Sequence, residues 1–362
     1  MGSHASHLLT LVVPTRNRWD FLSRLLDYYR DCGLQYRLII GDSSDPSQYR
    51  SRDLALDNSG KRLNLEYRQY PDTTGTVCAA ELLAHVSTPY AVWVADDDFV
   101  VPCGFDRTID FLERHRDYSG AHGNALIFTL SSDGPFGRVM SIGRYSQRSV
   151  EQKTASERLV DHLETYCPTI FSVHRTELLQ RSYRYVADLK LDNCFGELLP
   201  SSLPIVCGKI KKLDILYMAR QAHAGMVSRT VNPGVFDWIT GPRWLEQWIS
   251  FRDCLTKELA QQDAIKLEVA REVVEKAFWG YLAHGLTRKW DARYWRDGQG
   301  VYARLREMAR RVPGVRKAWH SLRSFLPGVD NKMSLEALLH SRSPYHEDFM
   351  PVYRAITTAH EK

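Results

Sequence analysis

Across the first hundred residues, short apolar runs alternate with stretches of helical period, and no other feature narrows the fold as much. Residues 8–13 form a β-branched run that reads as a buried strand and stops at Pro14-Thr15-Arg16-Asn17-Arg18. A helix follows with Leu22, Leu25, Leu26 and Tyr29 on one face, and Gly33 is placed to close it. Residues 36–40 make the next strand, ending in the turn-rich Gly41-Asp42-Ser43-Ser44-Asp45-Pro46. Leu63, Leu65 and Tyr67 alternate as in a third strand, and a helix over residues 76–85 leads to a strand over 90–95. Elements taking turns in this way predict an α/β fold: a mostly parallel sheet with helices on both faces.

Ligands of such sheets bind beyond the carboxyl ends of the strands. Three of those ends carry polar sets, namely Thr15-Arg16-Asn17, Asp42-Ser43-Ser44 and Asp96-Asp97-Asp98. A solvated loop would account for any one of them, but three on one sheet edge predict a nucleotide-type site. The third set is the sharpest. In WVADDDF, residues 93–99, an apolar strand runs straight into three carboxylates that repel one another. A positive partner is needed, and Mg²⁺ or Mn²⁺ would serve, since both take carboxylate oxygens together with the phosphate oxygens of a substrate. On an extended or turning segment Asp96 and Asp98 project to one side, while Asp97 turns away to meet the backbone or a neighbouring charge.

Past residue 123 the pattern changes. Residues 125–130 and 138–142 flank a Ser-Ser-Asp-Gly-Pro turn and predict a hairpin; a helix over 156–166, a strand over 169–173 and a helix after His174-Arg175 follow. After about residue 230 the chain reads as helices carrying Trp238, Trp244, Trp248, Trp279, Trp290 and Trp295. The opening residues 1–7 read as a cloning remnant; no signal-peptide pattern opens the chain, and no apolar run approaches the roughly 18 residues of a membrane span. Seven scattered cysteines with no CxxC pair predict reduced thiols in a cytoplasmic protein, without a disulfide framework or a zinc site. A net charge of +5 is too mild to imply nucleic acid.

In order and spacing, Pro14-Thr15-Arg16-Asn17-Arg18, Gly41-Asp42-Ser43-Ser44-Asp45 and Ala95-Asp96-Asp97-Asp98 resemble the nucleotide-sugar half of family 2 glycosyltransferases of GT-A fold. The resemblance covers roughly residues 8–225. It implies a catalytic domain there, with a nucleotide-sugar half over 8–123 and an acceptor half over 124–225, followed by a helical region over 226–362. It further implies a nucleoside-diphosphate sugar, UDP first among the candidates, as donor. Pro14, Thr15, Arg16, Asn17 and Asp42 would hold the donor's nucleoside part, and Asp96 and Asp98 would form the DxD pair that holds Mn²⁺ or Mg²⁺, with Asp97 beside the donor. The family often carries an arginine-asparagine pair in the helix before the DxD strand; here that segment reads Gly75-Thr76-Val77-Cys78-Ala79-Ala80-Glu81, leaving Gly75 as the donor-side residue. The QxxRW motif of processive polysaccharide synthases and their membrane helices are missing, which implies transfer of a single sugar.

Inverting members use a carboxylate base, and the matching stretch is Leu191-Asp192-Asn193-Cys194-Phe195, with leucine in place of the family's glutamate. Asp192 is the expected base and Glu197 the runner-up; a plain helix N-cap is the other reading of Asp192. Late loops of the family lend a further metal or diphosphate ligand, and Gln221-Ala222-His223-Ala224-Gly225 offers His223, with Arg229 nearby for the diphosphate. Arg175 also resembles a recurrent family position, and a solvated arginine explains it nearly as well. By fold-level analogy the acceptor is a hydroxyl on a bacterial surface glycan, free or lipid-linked. Residues 302–325 interleave Arg304, Arg310, Arg311, Arg316 and Lys317 with Leu305, Met308, Trp319 and Leu322. That segment reads either as a solvated helix surface or as a patch for the anionic inner face of a membrane, with Pro313 interrupting it. Two rivals stand beside the transferase. A sugar nucleotidyltransferase usually needs a glycine-rich loop after its first strand, and Pro-Thr-Arg-Asn-Arg has no glycine; the other rival is a non-catalytic glycan- or partner-binding protein of the same fold.

Overall fold

The first hundred residues fold in the expected order with one added helix, α2, between the second and third strands: β1 (Leu9–Thr15), α1 (Trp19–Asp31), β2 (Arg37–Asp42), α2 (Tyr49–Ser59), β3 (Leu65–Gln69), α3 (Gly75–Ala84) and β4 (Tyr90–Trp93). This is a computed structural model, and it describes residues 7–59, 62–226, 234–296 and 333–357, without the side chains of 58, 59 and 288–296. Strand β1 pairs in parallel with β2 and β4, and β2 with β3, so four carboxyl ends share one edge. Side chains alternate between the two faces, as the pleat requires. Leu11, Val13, Leu38 and Ile40 pack with α1 and with α4 (Pro102–Arg114), whereas Val12, Ile39 and Ala91 pack with α3 and with α6 (Thr176–Asp188). Gly41 is needed where α3 crosses β2: a Cβ there would stand 2.6 Å from both Cys78 Sγ and Leu82 Cδ1.

The sheet continues through strands of both directions, in the order β3-β2-β1-β4-β8-β6-β9-β5, with β7 on β6. Here β5 is Phe99–Val100, β6 Tyr118–Leu130, β7 Val139–Tyr145, β8 Val173–Arg175 and β9 Lys209–Gln221. The longest ladder beyond β4 is the parallel pair β6–β9, while β4–β8, β8–β6, β5–β9 and the expected β6–β7 hairpin are antiparallel. The strand expected over 169–173 is displaced to Val173–Arg175. Residues 169–172 form a turn instead, closed by Ser172 N donating to Thr169 O, and they follow Pro168, which lacks an N–H for a ladder.

A second core lies among α5 (Ala155–Glu164), α7 (Asn193–Cys207), α8 (Val235–Ile239), α9 (Trp244–Asp263) and α10 (Leu267–Arg296). Phe195, Trp238, Trp248, Phe251 and Phe278 fill it. The chain then returns. Residues of α11 (Leu335–Leu339) and α12 (His346–Thr357), among them Leu338, Phe349, Val352 and Ile356, belong to the first core with α1. Tyr345 Oη donates to Asp214 Oδ1 at 2.9 Å and accepts from Asn124 Nδ2 at 3.0 Å. Covered by the sheet on one side and by α12 on another, α1 buries nine of its residues, far more than one apolar stripe, and Arg24 is one of them. Among the described residues no helix is long and apolar enough to cross a membrane. Residues 302–325 and Arg229 lie outside the described residues.

Candidate active site

At the shared carboxyl edge, β4 hands the chain to Asp96-Asp97-Asp98, and β5 begins at Phe99. All three carboxylates are buried, and they diverge. Asp96 Oδ2 accepts from Thr15 Oγ1 at 2.8 Å, across from the end of β1. Arg18 straddles the first two: Nη2 stands 2.6 Å from Asp96 Oδ1, a charge contact that makes no hydrogen bond, and Nη1 donates to Asp97 Oδ2 at 2.7 Å. Asp97 Oδ2 also pairs with His223 Nε2 at 3.0 Å. Asp98 turns to β9, accepting from Arg220 Nε at 2.8 Å and from Gln221 N at 3.1 Å. A third guanidinium fixes the peptide itself, since Arg24 Nη2 donates to Asp97 O at 2.8 Å while Nη1 donates to Gln221 Oε1 and to Pro135 O. The tip of the β6–β7 hairpin closes over this group, with Gln221 Nε2 donating to Gly134 O and Ala224 N to Asp133 Oδ1.

Burial penalises each carboxylate, and the nearby cations decide how much of that penalty remains. Asp96 is pushed up to about 7 and Asp98 to about 6 by desolvation, in spite of Arg18 and Arg220. Asp97 goes the other way, to about 2, because the His223 hydrogen bond and the charge of Arg18 outweigh its burial. Arg24, buried among oxygens and the Phe99 ring 4.5 Å away, is pulled down to about 10 by desolvation. Three guanidinium groups of the chain, those of Arg18, Arg24 and Arg220, thus stand against the carboxylates and their peptide.

One strand over, Asp42 sits opposite Thr15 in register and is fully engaged. Its Oδ2 accepts from Trp19 Nε1 at 3.1 Å and Tyr67 Oη at 3.0 Å, and its Oδ1 from Ser44 N at 2.8 Å. Asn17 adopts φ 55°, a conformation that asparagine tolerates, and its side chain exchanges hydrogen bonds with Asp45. Pro14 is the half-buried β1 partner of Gly41, whereas Arg16 is exposed and Gly75 lies exposed in the first turn of α3. Loop and strand ends therefore bring Thr15, Asp42, Asp96, Asp97, Asp98 and His223 to one edge. His223 meets Asp97, however, rather than Asp96 or Asp98 as expected of a shared metal ligand.

The two candidate bases part company. Asp192 is the N-cap of α7: Oδ1 accepts from Phe195 N and Oδ2 from Trp238 Nε1, each at 2.8 Å. Glu197, one turn further along α7, stays half-buried and accepts from Tyr166 Oη at 2.9 Å. Burial raises its carboxyl above the usual range, and Arg220, the partner of Asp98, lowers it in part. The Arg175 guanidinium, a third candidate position, donates to the carbonyls of Tyr118, Leu112 and His115.

The donor types suit a hard divalent cation: three carboxylates, with Asp96 Oδ1 buried and lacking any hydrogen bond. Among the described residues, however, no group of three or more His, Cys, Asp or Glu converges on a point that could hold an ion. Guanidinium groups stand against the carboxylates instead.

No family model and no curated protein sequence matches the chain. Solved structures do resemble it in part. A fragment of S. aureus TarS, residues 1–349, is 14% identical over 81% of this chain and 93% of its own length, with a TM-score of 0.42. The same fragment solved with UDP-GlcNAc is 13% identical over 78% and 92% of the two chains, TM-score 0.43. The 4-diphosphocytidyl-2C-methyl-D-erythritol synthase of Anaerococcus prevotii DSM 20548 is 11% identical over 59% and 90%, TM-score 0.37. Likenesses this loose leave the function to the geometry.

Sequence reading assigned no role to Arg18, Arg24 or Arg220. Arg18 stood in the quoted loop and was legible as a cation near the carboxylates. Arg24 falls off the Leu22-Leu25-Leu26-Tyr29 stripe and carried no signal. Arg220 belongs to a strand that was not foreseen, although the alternation of Ile215, Tyr217 and Ala219 could have announced it.

Proposed function

We propose that the protein is a nucleotide-sugar-dependent glycosyltransferase of GT-A type, moving one sugar from a nucleoside diphosphate, UDP first among the candidates, to a hydroxyl acceptor with inversion. One observation carries this reading: three adjacent aspartates buried at the carboxyl edge of a parallel sheet, ringed by three arginines and a histidine. A structural ion-pair network needs no such concentration at the edge where α/β sheets bind ligands. Thr15 and the Asn17–Asp45 loop contacts position the loop after β1, and Asp42, held by Trp19 Nε1 and Tyr67 Oη, would stand on the nucleoside side.

Asp96 and Asp98 would hold Mn²⁺ or Mg²⁺, which when bound supplies neutralisation of the departing diphosphate's charge. Arg18 and Arg220 can offer bidentate contacts to phosphate oxygens. For the acceptor proton we favour Glu197 over Asp192. Its raised pKa and partial exposure suit a base, whereas both oxygens of Asp192 are committed to the α7 cap and Trp238. A glycan or lipid-linked acceptor at the cytoplasmic face of a membrane, reached through residues 302–325, extends the proposal, and flotation with anionic vesicles at low and high salt tests that part.

The central test is thermal shift with UDP, GDP, CDP and dTDP, each with and without Mn²⁺, followed by donor hydrolysis across a nucleotide-sugar panel. Stabilisation by one diphosphate and slow hydrolysis of its sugar are expected. A chain indifferent to all four diphosphates would refute the proposal.

A further inference from the structure

Tyrosines, rather than charges, surround Glu197. Tyr166 donates from Oη to Glu197 Oε1 at 2.9 Å, while Tyr145 of β7, Tyr183 of α6 and Tyr281 of α10 lie within range of its charge. Burial raises all four hydroxyls above the ordinary tyrosine range, so they are neutral near pH 7. Arg220 is the one charged group among the described residues that acts on the carboxylate.

The bond from Tyr166 has a fixed sense. An ionised carboxylate only accepts, and a tyrosine has one proton to give. Ser201 Oγ, fully buried and 3.2 Å from Tyr166 Oη, must then donate to it. Two hydroxyls thus form a chain that ends on Oε1, and among the described residues Oε2 accepts no hydrogen bond. The Tyr166 ring is packed edge-on against His162 of α5 and Tyr281 of α10, with centres 5.2 and 5.3 Å apart. His162 is held neutral by its burial and adds no charge. Through this ring the helical core reaches the candidate base. Resting on the reading of Glu197 as the base, we propose that Tyr166 is a positioning residue that fixes Oε1 and presents Oε2 to the acceptor. The acceptor hydroxyl gives its proton to Oε2 as its oxygen bonds to the anomeric carbon. The bond from that carbon to the diphosphate breaks, and its electron pair leaves on the diphosphate. A hydrogen bond from Tyr166 favours the ionised carboxylate and so opposes the effect of burial.

The test is the pH profile of slow hydrolysis by the full chain, with water as acceptor, of whichever nucleotide sugar the panel shows it to cleave. Tyr166→Phe keeps the ring contacts and removes the donor. Its plateau kcat should fall by about tenfold with KM held, and its acid limb should move up by about one pH unit. The sign follows from the lost hydrogen bond: without it the carboxyl holds its proton to higher pH. A merely structural role would lower stability and leave the limb in place. Ser201→Ala should move the limb the same way by less, and it keeps the test alive should Tyr166→Phe fail to fold. Carbon-13 NMR of glutamate-labelled protein reads the same effect without turnover: the Glu197 Cδ signal, assigned by its loss in Glu197→Gln, should titrate at higher pH in Tyr166→Phe. A Glu197 titration unmoved in Tyr166→Phe overturns the inference and leaves the transferase reading standing. Hydrolysis indifferent to Glu197→Gln overturns the base assignment and the inference with it.

Discussion

Replacing Asp192 separates a capping role from a catalytic one. Its two oxygens serve two donors, Phe195 N and Trp238 Nε1, each at 2.8 Å, and Trp238 is only 6% exposed. Asp192→Ala removes the cap, worth about 1 kcal/mol, and leaves a buried indole N–H unsatisfied, worth about 1–3 kcal/mol more. The sum is a loss of about 2–4 kcal/mol. Asparagine caps helices as well as aspartate does, but it has one carbonyl oxygen for two donors, and its amide must face the other. Asp192→Asn should therefore lose about 1–2 kcal/mol, less than alanine. Urea unfolding followed by far-UV circular dichroism and tryptophan fluorescence gives both values. Transfer by the folded Asn variant, measured well below its unfolding temperature, should stay within a few-fold of the wild type. An Asn variant of unchanged stability and donor affinity, yet slowed by a factor on the order of 10², would make Asp192 the base and refute this reasoning.

Glu197→Gln keeps an acceptor for Tyr166 and should cut transfer by a factor on the order of 10² to 10⁴ while donor affinity holds, as single-turnover kinetics and calorimetry would show. Gly41→Ala should cost about 1–3 kcal/mol by overpacking against Cys78 and Leu82, read from the urea midpoint; an unchanged midpoint would contradict the close approach of α3 to β2. His162 is buried with both ring nitrogens lacking a hydrogen bond, and desolvation holds it down at about 3. Its folded pKa lies below its unfolded value, so its neutral form matters little above about pH 6.5 and its burial subtracts stability as the pH falls from there. Relative to the wild type, His162→Phe should gain about 1.4 kcal/mol per pH unit between about pH 6 and 4. Parallel stability curves for the two proteins would refute that assignment.

What the sequence determined by itself was local. Runs of β-branched residues and the Leu22–Tyr29 stripe specify β1, α1 and their period, because which face of a strand or helix is apolar is written in neighbouring residues. Strand ends are local too, so Asp42 and Asp96-Asp97-Asp98 could be placed at one edge before any contact was known. Two features belonged to the tertiary structure alone. Strand β9 reaches the site by pairing in parallel with β6 after a long excursion, and its antiparallel register with β5, Phe99 opposite Ala219, brings Arg220 to Asp98 across 122 residues. The return of α12 against α1 helps bury Arg24, which then meets Asp97 O from 73 residues away. Neither partner is announced by spacing, since an arginine in a strand or helix looks the same whether water or a carboxylate faces it. The need for positive charge was legible in three adjacent aspartates, and Arg18 in the loop after β1 with it; that Arg24 and Arg220 also meet this segment was decided by packing.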